Sequence, residues 1–319
     1  MLYKSKAEDF IVEEIPLYPF EGSGEHLILK IKKQNQTTFD VIKKISKFLK
    51  ISEKHIGYAG LKDKISISIQ HISIPKKSIQ KLEELLDYLK RESIEVLDIN
   101  EHRNKLRPGH LRGNLFTVKL REVEDSEKII QRLKELEKNG FFNYFDQQRL
   151  SDNNIEIALK ILKEGKDSRN HSPYRKRLLI SAFTSYLFNE YIEERKELNL
   201  IKVLHGDIVY SQRDFKIKKV EKEGEISIEC IPTGPIWGSH MMEPENDVLI
   251  KIERNLLERY GLKKEDFKRL KSKGTRRPII VYPEDVDILK IEDRELTIRF
   301  FLPRGSYATI LLKELAGHN

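Results

Sequence analysis

The sequence predicts an α+β fold, and three observations carry the prediction. Strand-like apolar runs are mixed with amphipathic helical stripes, but without the regular strand–helix alternation that builds a doubly wound parallel sheet. The chain has 319 residues, 39% of them hydrophobic, which is enough material for two domains with packed cores. Glycine and proline clusters, at Gly22 and Gly24 and again across residues 232–238, mark turns between the elements.

In chain order, Phe10, Ile11, Val12 and Ile15 form one strand, and Leu27, Ile28, Leu29 and Ile31 a second. Thr37 or Thr38 caps a helix whose stripe is Val41, Ile42, Ile45, Phe48 and Leu49, and Ser52 offers another cap. Ile65, Ile67 and Ile69 alternate with Ser66, Ser68 and Gln70, the period-two pattern of a half-buried strand. An amphipathic helix carries Ile79, Leu82, Leu85, Leu86 and Leu89, strands follow near 94–99 and 115–120, and a helix carries Ile129, Ile130, Leu133 and Leu136. From about residue 152 the character shifts to a helix over 155–162, a basic run, and a long helix over about 178–195. Residues 203–231 read as strands with hairpin turns at Arg213-Asp214 and Glu223-Gly224, and residues 232–238, around Trp237, as a rigid turn cluster. The tail is a strand, LTIRFFLP, and a helix opened by Ser306.

Lys and Arg total 59 against 51 Asp and Glu, a net charge of +8 that suits a polyanionic partner such as nucleic acid. The one cysteine, Cys230, excludes an intrachain disulfide and a cysteine-based zinc site. The N-terminus, MLYKSKAEDF, has no apolar signal core, and no apolar run approaches the ~20 residues of a membrane span, so the expectation is a cytoplasmic protein with no membrane partner. No glycine-rich phosphate loop, zinc spacing or dinucleotide fingerprint is present, and no cofactor is expected.

Three stretches carry candidate chemistry. In HIGYAGLKDKISISIQHISI, residues 55–74, Asp63 stands between Lys62 and Lys64 at the mouth of a strand, where flanking ammonium groups would favour its ionised form as a base or nucleophile. By pattern alone it is ordinary turn chemistry. The loop HRNKLRPGHLRGN, residues 102–114, sets Arg103, Lys105, Arg107 and Arg112 among glycines, an arrangement that can follow a phosphate backbone. In FFNYFDQQRL, residues 141–150, Asn143, Gln147, Gln148 and Arg149 could read a base edge or fix a backbone, and Tyr144 or Phe145 could stack on a base. Lys4, Phe10 and His26, taken alone, are a surface charge, a core residue and a strand-end histidine.

Together these stretches resemble the TruD family of tRNA pseudouridine synthases. AGLKDK resembles the motif with the family's catalytic aspartate; Lys4 to Phe10 running into VEE, the GEH ending at His26, RPGHLRGNLF, NYFxQQR, SAFTSYLFN, TGPIWG and FFLPRGSYATILLKEL are similar to further family segments, in order from residue 4 to 315. Asp146 and Leu150-Ser151 depart from the family's usual glycine, phenylalanine and glycine. The resemblance implies a discontinuous pseudouridine-synthase catalytic domain with a mixed, mainly antiparallel sheet, residues 1–151 and 277–319, and an α+β insertion domain, residues 152–276, with a basic cleft between them. It implies Asp63 as catalytic residue, with Phe145, Asn143, Lys4, Phe10, His26, Lys62 and Arg149 around the substrate. It also implies a monomer acting on uridine 13 in the D arm of tRNA, with no metal and no small-molecule cofactor. Two rivals stand beside it: a metal-dependent RNA hydrolase using Asp63, Asp146 and Asp152, which lack a metal-ligand spacing, and a catalytically silent RNA-binding or RNA-chaperone protein of the same fold.

Overall fold

The computed structural model describes residues 1–146, 152–164, 172–268 and 273–317. The chain opens with β1 (Phe10–Pro16), β2 (His26–Gln34), α1 (Thr38–Leu49), β3 (Gly57–Tyr58) and β4 (Ile67–Pro75). There follow α2 (Leu82–Arg91), β5 (Ile94–His102), β6 (Leu111–Arg121), α3 (Ser126–Asn139), β7 (Phe141–Phe142), α4 (Asp152–Glu164) and α5 (Pro173–Glu197). The last third holds β8 (Ile208–Ser211), β9 (Lys216–Lys219), β10 (Ile231–Ile236), α6 (Asp247–Arg259), α7 (Lys264–Lys268), β11 (Thr275–Pro278) and β12 (Ile280–Val281). It closes with β13 (Glu284–Glu292), β14 (Glu295–Pro303) and α8 (Ala308–Ala316). The fold is α+β, and none of the described helices is long and apolar enough to cross a membrane.

Two compact units divide the chain, Met1–Lys138 with Pro283–Gly305, and Asn139–Tyr282 with Ser306–Asn319. The motif-based boundaries at 151 and 277 do not coincide with this division. Residues on both sides of them are tied within the second unit, where β7 pairs with β12 and Arg277 binds the Asn143 backbone.

The first unit is built on an eight-stranded sheet of order β13-β14-β6-β1-β4-β2-β5, with β3 beside β4. The β1–β4 pair is parallel, with Ile11 opposite Ile67, and the other pairs are antiparallel. Leu29, Ile31 and Ile72 from the sheet pack with Val41 and Ile45 of α1 and Leu85 and Leu89 of α2, all of them buried. Each such side chain contributes roughly 1.5–3 kcal/mol. Helix α1 starts where the sequence suggested: the Thr37 hydroxyl accepts the Asp40 N–H, and the Asp40 carboxylate accepts the Thr37 N–H in return.

The expected strand exists as β4, from Ile67 on, but the polar set of this stretch is the buried one. Ser66, Ser68 and Gln70 are buried while Ile65 is 61% exposed. The reason is a hydrogen-bonded layer: Ser66 and Ser68 share a 2.8 Å hydroxyl contact, and the Thr38 hydroxyl donates to Gln70 Oε1 at 3.0 Å. Paired polar groups of this kind are tolerated inside, and they anchor the loop that precedes the strand.

The second unit gathers α5, β10 and α6 around Phe183, Leu187, Phe188, Tyr191, Trp237 and Leu256. Its sheets are β11-β10-β8-β9 and the β12–β7 pair. The turn at Arg213-Asp214 joins β8 to β9, but Gly224 sits in a single bridge to Val203 rather than in a hairpin. Of the expected turn cluster at 232–238, residues 232–236 are instead part of strand β10. It pairs with β8 through Ile231 and Pro232 and with β11 through Thr233 to Ile236, so each proline lacks a ladder partner on one flank and its missing N–H goes unneeded. Gly234 is required there because a Cβ would fall 2.8 Å from Phe188 and Tyr191 ring atoms.

Candidate active site

Asp63 lies on the loop between β3 and β4 with its side chain 84% exposed. Lys4 Nζ stands 3.8 Å from Asp63 Oδ2. The Lys4 ammonium also lies over the Phe10 ring, 4.2 Å from its centroid, and Lys4 holds a left-handed backbone (φ 59°) to get there. Phe10 itself is buried against Phe116, beneath the Lys4 ammonium. The result is an accessible carboxylate beside a cation, a group able to act as base or nucleophile toward a bound substrate.

Although the sequence order sets the two side by side, Lys62 makes no direct ion pair with Asp63. Its side chain turns inward, is 7% exposed at the residue level, and donates to Asn114 Oδ1 at 2.6 Å with Glu14 Oε2 at 3.5 Å. Burial pulls its pKa down, and Glu14 opposes that shift. Glu14, 1% exposed, accepts the His71 N–H at 3.2 Å. Gly60 leaves room for this pair, since a Cβ there would sit 3.0 Å from Glu14 Oε2 and 3.1 Å from Lys62 Nζ. The loop backbone is pinned as well: the Lys62 N–H donates to Thr38 Oγ1 at 2.9 Å, and Lys33 Nζ donates to the Asp63 carbonyl at 3.4 Å.

His26 is not brought to this site. It begins β2, seven residues before the Lys33 that reaches Asp63, which at strand rise is roughly 23 Å away. There it lies in register with His102, near a groove of about 660 Å³ lined by Tyr18, His102, Arg103, Lys105, Arg107 and His110. Burial and Lys105 hold the His26 imidazole below its usual pKa. In the basic loop, Arg103 is paired with Glu21 and Arg112 with Glu284, while Arg107 forms no ion pair among the described residues.

The second unit holds the FFNYFD segment. Asn143 is 3% exposed and engaged at both ends of its amide: Nδ2 donates to Pro278 O at 3.0 Å, and Oδ1 accepts from Arg277 Nη2 at 2.6 Å. Asn189 takes the Phe145 N–H at 2.9 Å and donates to Phe145 O at 3.0 Å. Arg277 lies 3.9 Å from the Phe145 ring centroid, and Phe188 meets the ring edge-on at 5.6 Å. Asp146 accepts the Thr309 hydroxyl at 2.6 Å, so this departure from the family pattern is absorbed by a local hydrogen bond. Arg149 lies outside the described residues, as does Gln147-Gln148. Sequence reasoning missed Lys33, Glu14, Asn114, Asn189 and the stacking of Arg277.

A family model for tRNA pseudouridine synthase D (TruD) matches residues 1–168 and 165–315. A tRNA pseudouridine synthase D of Wolinella succinogenes is 36% identical, over 97% of this chain and 92% of the relative. One of Thermus thermophilus is 38% identical, over 97% of this chain and 86% of the relative. The fold is also that of a solved Methanosarcina mazei chain described as tRNA pseudouridine synthase D, with a TM-score of 0.69, 19% identity, and coverage of 99% of this chain and 93% of that one. The class is therefore that of RNA-modifying pseudouridine synthases. The chain belongs to the TruD family.

Proposed function

We propose that this protein isomerises uridine 13 in the D arm of tRNA to pseudouridine, with Asp63 as the catalytic residue. The observation that supports this reading most directly is the exposed Asp63 carboxylate beside Lys4 on a loop pinned from below. The target uridine has to leave its stack, at a cost of a few kcal/mol. Asp63 then assists cleavage of the bond between C1′ and N1, the uracil turns, and C5 takes the place of N1. The proton lost from C5 is balanced by one gained at N1, so the reaction needs no redox carrier and no energy input. Phe145 stacks on the uracil, and Asn143 contributes by fixing the segment that carries Phe145. Lys4 and Phe10 serve the carboxylate, Lys62 serves its loop, and His26 and the 102–114 loop serve the RNA backbone away from the reacting nucleotide; Arg149, by its motif, binds substrate.

The test is pseudouridine mapping on tRNA that lacks the modification. Wild type should convert uridine 13, a transcript with cytidine there should stay unmodified, and Asp63→Asn should bind tRNA without converting it. Near wild-type turnover by Asp63→Asn would remove the assignment of the residue. Modification of other uridines with position 13 untouched would remove the substrate. Binding without any conversion by wild type would favour the catalytically silent alternative.

A further inference from the structure

We propose that Lys33 is a positioning residue for Asp63: its ammonium ties the Asp63 backbone to Gln36, just ahead of α1, and so fixes where the carboxylate stands. The inference rests on Asp63 being the catalytic group. Lys33 is 1% exposed near the end of β2, and its Nζ donates both to Gln36 O and to Asp63 O, the latter at 3.4 Å. One residue earlier, the Lys62 N–H hangs on the Thr38 hydroxyl at 2.9 Å. Residues 62 and 63 are thus held from residues 36 and 38 by two adjacent tethers. The Asp63 carboxylate itself, exposed and with Lys4 as its one ion-pair partner among the described residues, depends on that backbone for its position.

Lys33 cannot act on the substrate directly, because it is covered. Nor is an ammonium the group that packing alone would call for, since a methionine fills similar space without a buried charge. The charged groups that face it are Lys62 and Asp63 from the loop and Asp40 from α1. Burial, with Lys62 acting in the same direction, lowers its pKa to about 8, while Asp63 and Asp40 oppose the shift. The tether is therefore charged at neutral pH and loses its charge, and the stronger part of its hydrogen bonds, just above it.

The experiment compares full-length wild type, Lys33→Met and Asp63→Asn on unmodified tRNA, with initial rates from pH 6 to 9.5. A loosened catalytic group costs on the order of 10–100-fold in rate, so Lys33→Met should lower kcat at pH 7 by about that factor while KM for tRNA stays within about twofold. Wild-type kcat should fall along a basic limb near pH 8 that Lys33→Met lacks. Amide exchange should quicken across residues 61–66 in the variant and stay unchanged in β4. Unaltered kcat, a basic limb that survives the substitution, or a loss of rate that only follows loss of folded protein would each overturn the proposal. If Lys33→Met gives no folded protein, Lys33→Gln, which keeps a donor without the charge, is read through the same pH profile. An active Asp63→Asn would instead remove the reading on which the inference rests, so the two failures are distinguishable.

Discussion

Removing the charge of Lys33 should make the protein more stable while making it a poorer catalyst. A lysine whose pKa falls from 10.5 unfolded to about 8 folded carries its buried charge at a cost below pH 8. Between pH 8 and 10.5 the unfolded chain still binds a proton that the folded chain has released, so stability rises with pH across that window. That lowering of the pKa corresponds to roughly 3 kcal/mol of destabilisation at pH 7, of which about 2 kcal/mol is recovered by pH 9.5. Lys33→Met should therefore exceed wild type in unfolding free energy at pH 7, and the gap should narrow by about 2 kcal/mol by pH 9.5. The assay is urea denaturation of both proteins at the two pH values, with matched m-values required. A variant less stable than wild type at pH 7, or a gap that does not change with pH, would show that the Lys33 ammonium is better compensated in the fold than its burial implies.

Two further substitutions probe the second unit. Phe145→Leu keeps the apolar contact with Phe188 but removes the aromatic face, and should weaken productive base capture by about 1–3 kcal/mol while phosphate-driven tRNA binding persists; complete loss of tRNA affinity in a folded variant would make the ring structural instead. Arg195 and Asp207 form a fully buried ion pair at 3.0 Å, with Arg195 also donating to the Leu200 and Lys202 carbonyls. Arg195→Met strands the Asp207 carboxylate and should cost about 3–5 kcal/mol in chemical denaturation, much of it recovered in Arg195→Met with Asp207→Leu; a single variant within about 1 kcal/mol of wild type would contradict this.

Much of the fold was legible because its helices follow local rules. The stripe from Val41 to Leu49 and the capping pair Thr37 and Asp40 specify α1 without reference to the rest of the chain. The sheet order was not legible, since nothing local says that β4 comes between β1 and β2, or that β14 returns to pair with β6 along nine residues. Residues 232–236 misled for a related reason. Two prolines and a glycine read as a turn until the two half-ladders of β10, each tolerating one proline, are known.

At the site, the exposed residue was easier to find than its supports. Asp63 announced itself through a motif, whereas Lys33 and Glu14 looked like members of charged runs, KIKK and VEE. Yet each is in phase with the buried set of its own strand: Lys33 follows Leu27, Leu29 and Ile31 at two-residue steps, and Glu14 follows Phe10 and Val12. A charge on the core face of a strand has to be paired or discharged, so it marks a place where the interior is polar by construction. Here that interior is the layer of Thr38, Lys62, Ser66, Ser68 and Gln70, with half-buried Asn114 bound to Lys62, beneath the loop carrying Asp63. The inverted alternation of β4 belongs to the same construction. Gln70 and the buried serines supply directional bonds that an isoleucine face could not, and one of them, from the Ser66 hydroxyl, reaches the Asp63 carbonyl at 3.4 Å.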